Sequence, residues 1–361
     1  MKIFFYHTED IQYIFNGWEK GSFPGHLLYG ATHFKDHGIE MVARVHHAHS
    51  SRLGLMIDTA RQILFCKEKF SAIFATHYRG LEIVVMLRAL GLYRRKIVVW
   101  HHQPIITPRQ RWREWLGRVF YRGFDHLIFF SRRLYDESLL SRKARPERMH
   151  VCHWGPDIDF YDRVIKDVEQ ERGTTAPAEQ PRNFISTGRE RRDMRTLVEA
   201  FGRTGYPLDI YLNKLNCGID YEQMFREMHV APNIRIHFTE GHLLHHKLCV
   251  LVRRSMCSVI CCLETKYTVG LTSLVEALGL GMPVIVSRNV KMPVDVDKEG
   301  CGISVDYYDT EGWTRAIRYI AEHPAETAAM GRRARQLAEQ KFNDRICAAE
   351  VAAILKSAVG E

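Results

Sequence analysis

Thr187-Gly188-Arg189 follows the apolar run Phe184-Ile185-Ser186 and leads into a helical pattern over 193–202, with Arg191, Arg192 and Arg195 close by. A glycine at a strand-to-helix turn lets backbone N–H groups approach a phosphate, and arginines add forked donors that fit phosphate oxygens. The same residues would also make a plain surface ion-pair cluster. A second stretch, Gly270-Leu271-Thr272-Ser273-Leu274-Val275-Glu276, is more informative. Gly270, Thr272 and Ser273 open a helix whose dipole and free N–H groups favour an anion. Glu276 lies a turn and a half further on, near enough for its carboxylate to accept hydroxyls of a sugar held there. Trp100-His101-His102-Gln103-Pro104 closes an apolar run at 96–100. That places a histidine pair at the carboxyl end of a strand, where open α/β sheets bind ligands. A histidine pair at a strand end is also ordinary packing, and His102 is the better candidate of the two. Gly25 opens the first long predicted helix, either as a close approach for an acceptor or pyrophosphate or as a helix start without ligand.

Such residues need a scaffold that sets strand ends beside helix starts, and the chain reads as one. Apolar strand-like runs at 2–6, 39–43, 72–75, 96–100, 127–130 and 150–152 alternate with helical patterns in the first half. A second series runs from 184 to 286, and three helices close the chain at 310–322, 325–341 and about 344–357. Strands alternating with helices at this spacing predict parallel, doubly wound sheets. At 361 residues two domains are expected. We read 1–160 as the N-terminal domain, 183–343 as the C-terminal one and 344–361 as a final helix that can cross back. The charged, Gly-, Thr- and Pro-bearing stretch 161–182 reads as a linker.

Nine cysteines, most of them inside apolar runs, predict buried free thiols in a reducing compartment. No run is long enough for a membrane helix, and the N-terminus enters a strand directly, so a cytoplasmic location is expected. The net charge of +9 suggests an anionic partner.

The stretch Gly270 to Glu276, continued by Gly281-Met282-Pro283-Val284, resembles the nucleotide-sugar signature of the retaining GT-B glycosyltransferases (glycosyl transferases group 1, family 4-like). Ser186-Thr187-Gly188-Arg189, Asn233 to Gly241, His153-Trp154-Gly155-Pro156-Asp157 and Ala329-Met330-Gly331-Arg332 match further family elements in the right order. The resemblance implies an α/β GT-B architecture, two Rossmann-like domains facing a central cleft. It implies transfer of a hexose-like unit from a nucleoside diphosphate sugar to an acceptor hydroxyl with retention, without metal or bound cofactor, in surface polysaccharide or glycoconjugate synthesis. Donor binding falls to Gly188, Arg189, Arg192, Arg195, Thr239, Gly241, Thr268, Gly270, Leu271, Thr272 and Glu276. Glu276 would hold the ribose, and Arg189 with Arg192 or Arg195 the diphosphate. Relatives often place a histidine where His101 and His102 stand, near the donor sugar and acceptor. The family's second glutamate, eight positions before Glu276, is replaced here by Thr268, and Glu264 stands at the wrong spacing.

Residues 109–122 combine five arginines with four aromatics. They read either as a solvated helix with Trp115, Leu116 and Val119 packed inward or as a helix in contact with a membrane surface that carries a lipid-linked acceptor. Rival readings are a nucleotide-sugar epimerase or an inactive scaffold of the same fold and, in another class, a nucleic-acid-binding protein. Nucleic acid is not expected as a partner, because the basic residues are spread along the chain.

Overall fold

The computed structural model describes residues 1–174, 183–188, 190–239 and 245–361. The chain forms two compact units, one of Met1–Lys20, Gly25–Trp154 and Asp344–Glu361, the other of Gly21–Pro24 and Gly155–Asn343.

The first unit begins with β1 (Lys2–Tyr6), α1 (Ile11–Glu19), β2 (Glu40–Ala43), α2 (Arg52–Leu64), β3 (Ala72–Ala75) and α3 (Glu82–Ala89). It continues with β4 (Lys96–Trp100), α4 (Arg111–Tyr121), β5 (His126–Phe129), α5 (Arg132–Leu139) and β6 (Met149–Val151). Side-chain caps mark several helix starts: Asp10 accepts the Tyr13 N–H, Ser51 that of Gly54 and Ser131 that of Leu134. The strands pair in parallel in the order β2-β1-β3-β4-β5-β6. A parallel sheet covered on both faces needs near-continuous apolar strands, and the central ones comply, with Phe5, Phe74, Trp100 and Phe129 fully buried. Chain order reverses between β1 and β3, which makes their carboxyl ends a topological switch point.

The second unit opens with α6 (Ile158–Thr174), β7 (Phe184–Ser186), α7 (Met194–Thr204), β8 (Leu208–Leu212), the short pair β9 (Leu215–Asn216) and β10 (Ile219–Asp220), and α8 (Tyr221–Glu227). Then follow β11 (Ile234–Phe238), α9 (His245–Arg254), β12 (Cys257–Ile260), α10 (Leu271–Gly279), β13 (Val284–Ser287), β14 (Gly302–Val305), α11 (Thr310–Glu322) and α12 (Pro324–Gln340). Its six-stranded sheet is parallel, ordered β11-β8-β7-β12-β13-β14, with the switch between β7 and β12. The last helix, α13 (Asp344–Val359), packs on β3 and β4 of the first unit.

Three expectations change. Helix α6 runs through 158–174, much of the stretch read as linker, and residues 175–182 lie outside the described residues. Phe160, Tyr161, Val164 and Val168 recur at helical spacing and are buried, while the charged residues that suggested a linker occupy the remaining positions. The first long helix does not start at Gly25. It starts at Ile11 with Gly17 inside it, and Gly25 opens one 3₁₀ turn, Gly25–Leu28. Tyr29 and Gly30 then take left-handed conformations (φ 54° and 88°), which break the run before a second 3₁₀ segment, Ala31–His37. On α4, Trp115 and Leu116 are exposed instead of packed inward, and no residue of the helix is buried.

All nine cysteines are free thiols, seven of them buried. Among the described residues no helix is long and apolar enough to cross a membrane.

Candidate functional site

At the switch point of the second unit, the backbone leaving β7 turns at Gly188 (φ 109°) and returns Arg192 into the interior, 4% exposed. Its Nε and Nη2 donate to the Thr187 carbonyl, both at 3.2 Å, and Nη2 also donates to the Ser273 hydroxyl at 2.9 Å. Nη1 donates to the Glu190 carbonyl and to the Cys262 sulfur, each at 3.1 Å. Burial keeps the Cys262 thiol above its ordinary range despite the neighbouring guanidinium, so the sulfur accepts as a neutral group. Arg192 is therefore hydrogen-bonded throughout, yet no carboxylate pairs with it among the described residues. A buried cation held only by neutral acceptors leaves net positive potential. That potential adds to the N-terminal end of α10, whose cap residue Gly270 (φ 88°) brings the backbone close to Arg192 and offers no capping side chain. The arrangement is suited to an anion such as a phosphate.

Glu276 follows Ser273 by three residues on α10, hence on the same side of the helix. It is 7% exposed, and its Oε1 lies 3.1 Å from Nε2 of His245, the first residue of α9, out of line for a hydrogen bond. One face of α10 thus runs from a guanidinium at its start to a carboxylate in its second turn. Such a face can hold a phosphate and a hydroxyl-bearing ring together.

The other residues singled out in this half divide. Leu271 and Thr268 are buried beside the cap of α10, and the Thr268 carbonyl accepts the Leu271 N–H at 3.1 Å. Thr272 is exposed in the first turn. Thr239 follows β11 and donates to the Asn213 side chain at 3.0 Å, at the same carboxyl edge of the sheet. Arg195 points to the exposed face of α7 and is not drawn in with Arg192. Arg189 and Gly241 lie outside the described residues.

The first unit gathers histidines at its own switch point. His7 follows β1, His77 follows β3, and His101 and His102 follow β4. The His77 and His102 ring centroids are 5.0 Å apart, and His102 also meets Tyr29 and Phe130. Burial lowers all four to about 4, with neighbouring histidines adding to the effect, so the rings are neutral at neutral pH. Their hydrogen bonds assign the tautomers. His101 donates from Nδ1 to the Gln103 carbonyl at 2.5 Å and accepts the Tyr121 hydroxyl at Nε2, 2.7 Å away. Both its nitrogens are thereby committed. His102 donates from Nε2 to the Thr76 carbonyl at 2.7 Å, leaving Nδ1 as an acceptor. His7 and His77 accept backbone N–H groups at Nδ1, each at 2.9 Å, which puts their protons on Nε2. The cluster thus combines donors and an acceptor without charge, as hydroxyl recognition requires. Gly25 is buried at its 3₁₀ turn. His7 and His77 were missed from sequence, although each follows an apolar run just as His101 does.

Among the described residues, one group has the geometry to hold a metal: His47, His49 and Asp58. Arg44 at 3.5 Å and the Gln62 amide at 2.9 Å already engage the same Asp58 oxygen, and the group belongs to β2–α2, not to either switch point.

No family model matches the chain. The MMP alpha-(1->4)-mannosyltransferase of Mycolicibacterium hassiacum is 23% identical over 284 residues, 73% of this chain and 66% of that protein. The D-inositol 3-phosphate glycosyltransferase of Saccharomonospora viridis is 39% identical over 71 residues, 20% of this chain and 16% of that protein. The chain thus spans just under two thirds of the first relative's length and far less of the second's. The crystal structure of Anabaena Alr3699/HepE in complex with UDP and glucose superimposes with a TM-score of 0.68 over 99% of this chain and 100% of that one, at 16% identity. These two parallel α/β units are those of the GT-B fold.

Proposed function

We propose that this protein is a glycosyltransferase that takes a sugar from a nucleoside diphosphate sugar and passes it to an acceptor hydroxyl. The carrying observation is the Arg192 guanidinium, buried without a carboxylate partner among the described residues and set against the start of α10, with Glu276 on the same helix. In this reading the diphosphate rests on the N-terminal turn of α10 within the field of Arg192, and Glu276 accepts the ribose hydroxyls. As the bond from the anomeric carbon to phosphate breaks, charge grows on the departing diphosphate. A fixed cation and helix N-terminus stabilise it without reorganisation. Arg192 acts through this field and through its hold on Ser273, since its N–H groups are already committed. Its charge serves the donor site without a divalent cation, so EDTA should leave turnover unchanged.

The likeness of the curated relatives to this chain supports sugar transfer, and the neighbour with UDP and glucose supports a UDP-sugar as the first donor to try. The finer reading is hexosyl transfer with retention onto a glycan or lipid-linked acceptor of polysaccharide or glycoconjugate synthesis on the cytoplasmic side. The neutral histidines of the first unit are the groups we assign to hydroxyl recognition, with His102 Nδ1 as the acceptor closest in character to a proton relay. The experiment is a thermal-shift panel of UDP, GDP, ADP and CMP with their sugar conjugates. A ligand at about 100 times its Kd stabilises by about 2.7 kcal/mol, a shift of a few degrees. A shift with one nucleoside diphosphate and its sugar supports the assignment. No shift with any of them removes it, and turnover of the donor without an acceptor points to epimerase chemistry instead.

A further inference from the structure

Helix α4 is amphipathic in the reverse sense to a packed surface helix. At about 100° per residue, Trp112, Trp115, Leu116 and Val119 fall on one arc of about 100°. Arg111 and Arg122 border that arc on one side and Arg113 on the other. Glu114, Gly117 and Tyr121 occupy the opposite side. That opposite side is the one tied to the protein: Tyr121 bonds His101, Gly117 abuts the Lys143 side chain, and Glu114 pairs with Lys143 at 2.7 Å. The apolar arc faces outward, with Trp112 62% and Trp115 65% exposed and Leu116 also exposed. Arg113 lies over the Trp112 ring at 5.2 Å. Glu114, the helix's one acid, is spent on Lys143 and Arg118. Arg109, Arg111, Arg113 and Arg122 form no ion pair among the described residues.

Outward tryptophans bordered by uncompensated arginines match a bilayer interface, where indole rings settle at headgroup depth and arginines meet lipid phosphates. We propose that the outward face of α4 docks the protein on an anionic lipid surface. A protein partner would fit the apolar arc but gives no role to four unpaired arginines beside it. A nucleic acid would fit the arginines but leaves the outward Leu116 and Val119 unused. The inference does not depend on sugar transfer, and nucleotide binding measured on the same variants keeps the two readings apart.

The test is sedimentation of the full chain with phosphatidylcholine vesicles, alone or mixed with phosphatidylglycerol, with tryptophan emission followed in parallel. We expect binding to the mixed vesicles, a blue shift and weakening by salt. Trp112→Ala with Trp115→Ala should reduce the partition by roughly tenfold or more, and Arg111→Glu with Arg113→Glu should do so too. Both pairs are exposed, so melting temperature and nucleotide affinity should stay at the wild-type values. Failure to bind either vesicle, equal binding by the tryptophan pair, or tighter binding of single-stranded DNA than of mixed vesicles through these residues would each overturn the proposal.

Discussion

The guanidinium of Arg192 occupies the space that a side chain on Gly188 would need: a Cβ built there would stand 1.9 Å from Nη2. Turn and cation are one device, because the left-handed backbone at Gly188 and the missing side chain together let Arg192 reach back to the Thr187 carbonyl. Gly188→Ala should displace Arg192, cost about 1–3 kcal/mol of stability and weaken nucleotide binding. Paired melts and calorimetry check this, and a variant with both values unchanged would contradict the placement of Arg192.

Glu276→Ala should weaken binding of the nucleoside diphosphate by about 1–3 kcal/mol, the scale of a hydrogen bond to a charged group. Calorimetry with the nucleotide found by thermal shift decides it. Unchanged affinity would take Glu276 out of the ribose role and leave it as a partner of His245.

His102→Ala and His101→Ala should part company. With Nδ1 open, His102 is expected to lower turnover by about 100-fold or more while sparing nucleotide affinity. His101 has both nitrogens bound to the protein, so its loss should first lower the melting temperature. Steady-state kinetics beside melts separate the two, and full activity in His102→Ala would take His102 out of the relay role.

Acid should destabilise the fold in a defined window. His7, His77, His101 and His102 are held at about 4 against an ordinary 6.5, so the unfolded chain takes up protons first as pH falls. Their contribution is complete above 6.5 and is lost between 6.5 and 4. Urea unfolding at pH 7.5, 6 and 5 should show the fall begin below 6.5. A level profile across that range would mean that the rings take up protons in the folded protein as readily as in the unfolded chain.

Two parallel α/β units, the glycine turn after β7 and the Gly270-to-Glu276 helix were all legible in the sequence. Each depends on residues within one element: apolar runs for buried strands, a glycine where the chain must turn left-handed, and period-3.6 spacing that puts Ser273 and Glu276 together. Helix α6 was misread by the same local logic, since its charged face outweighed the stripe of Phe160, Tyr161, Val164 and Val168.

What local spacing does not hold is which strand ends become neighbours. His7, His77 and His102 meet because crossover helices return the chain to lay β3 beside β1 and β4 beside β3. Arg192 and Arg195 look alike in the sequence. Only the turn at Gly188 sends the first inward, and only its place on α7 leaves the second in solvent. The outward face of α4 was likewise decided by Lys143, whose pairing with Glu114 holds the polar side of that helix against the protein. The sequence by itself determined the elements and the chemistry they carry, because those follow from covalent neighbours. The tertiary structure alone decided the partnerships, because burial and pairing free energies are gained only when distant segments pack.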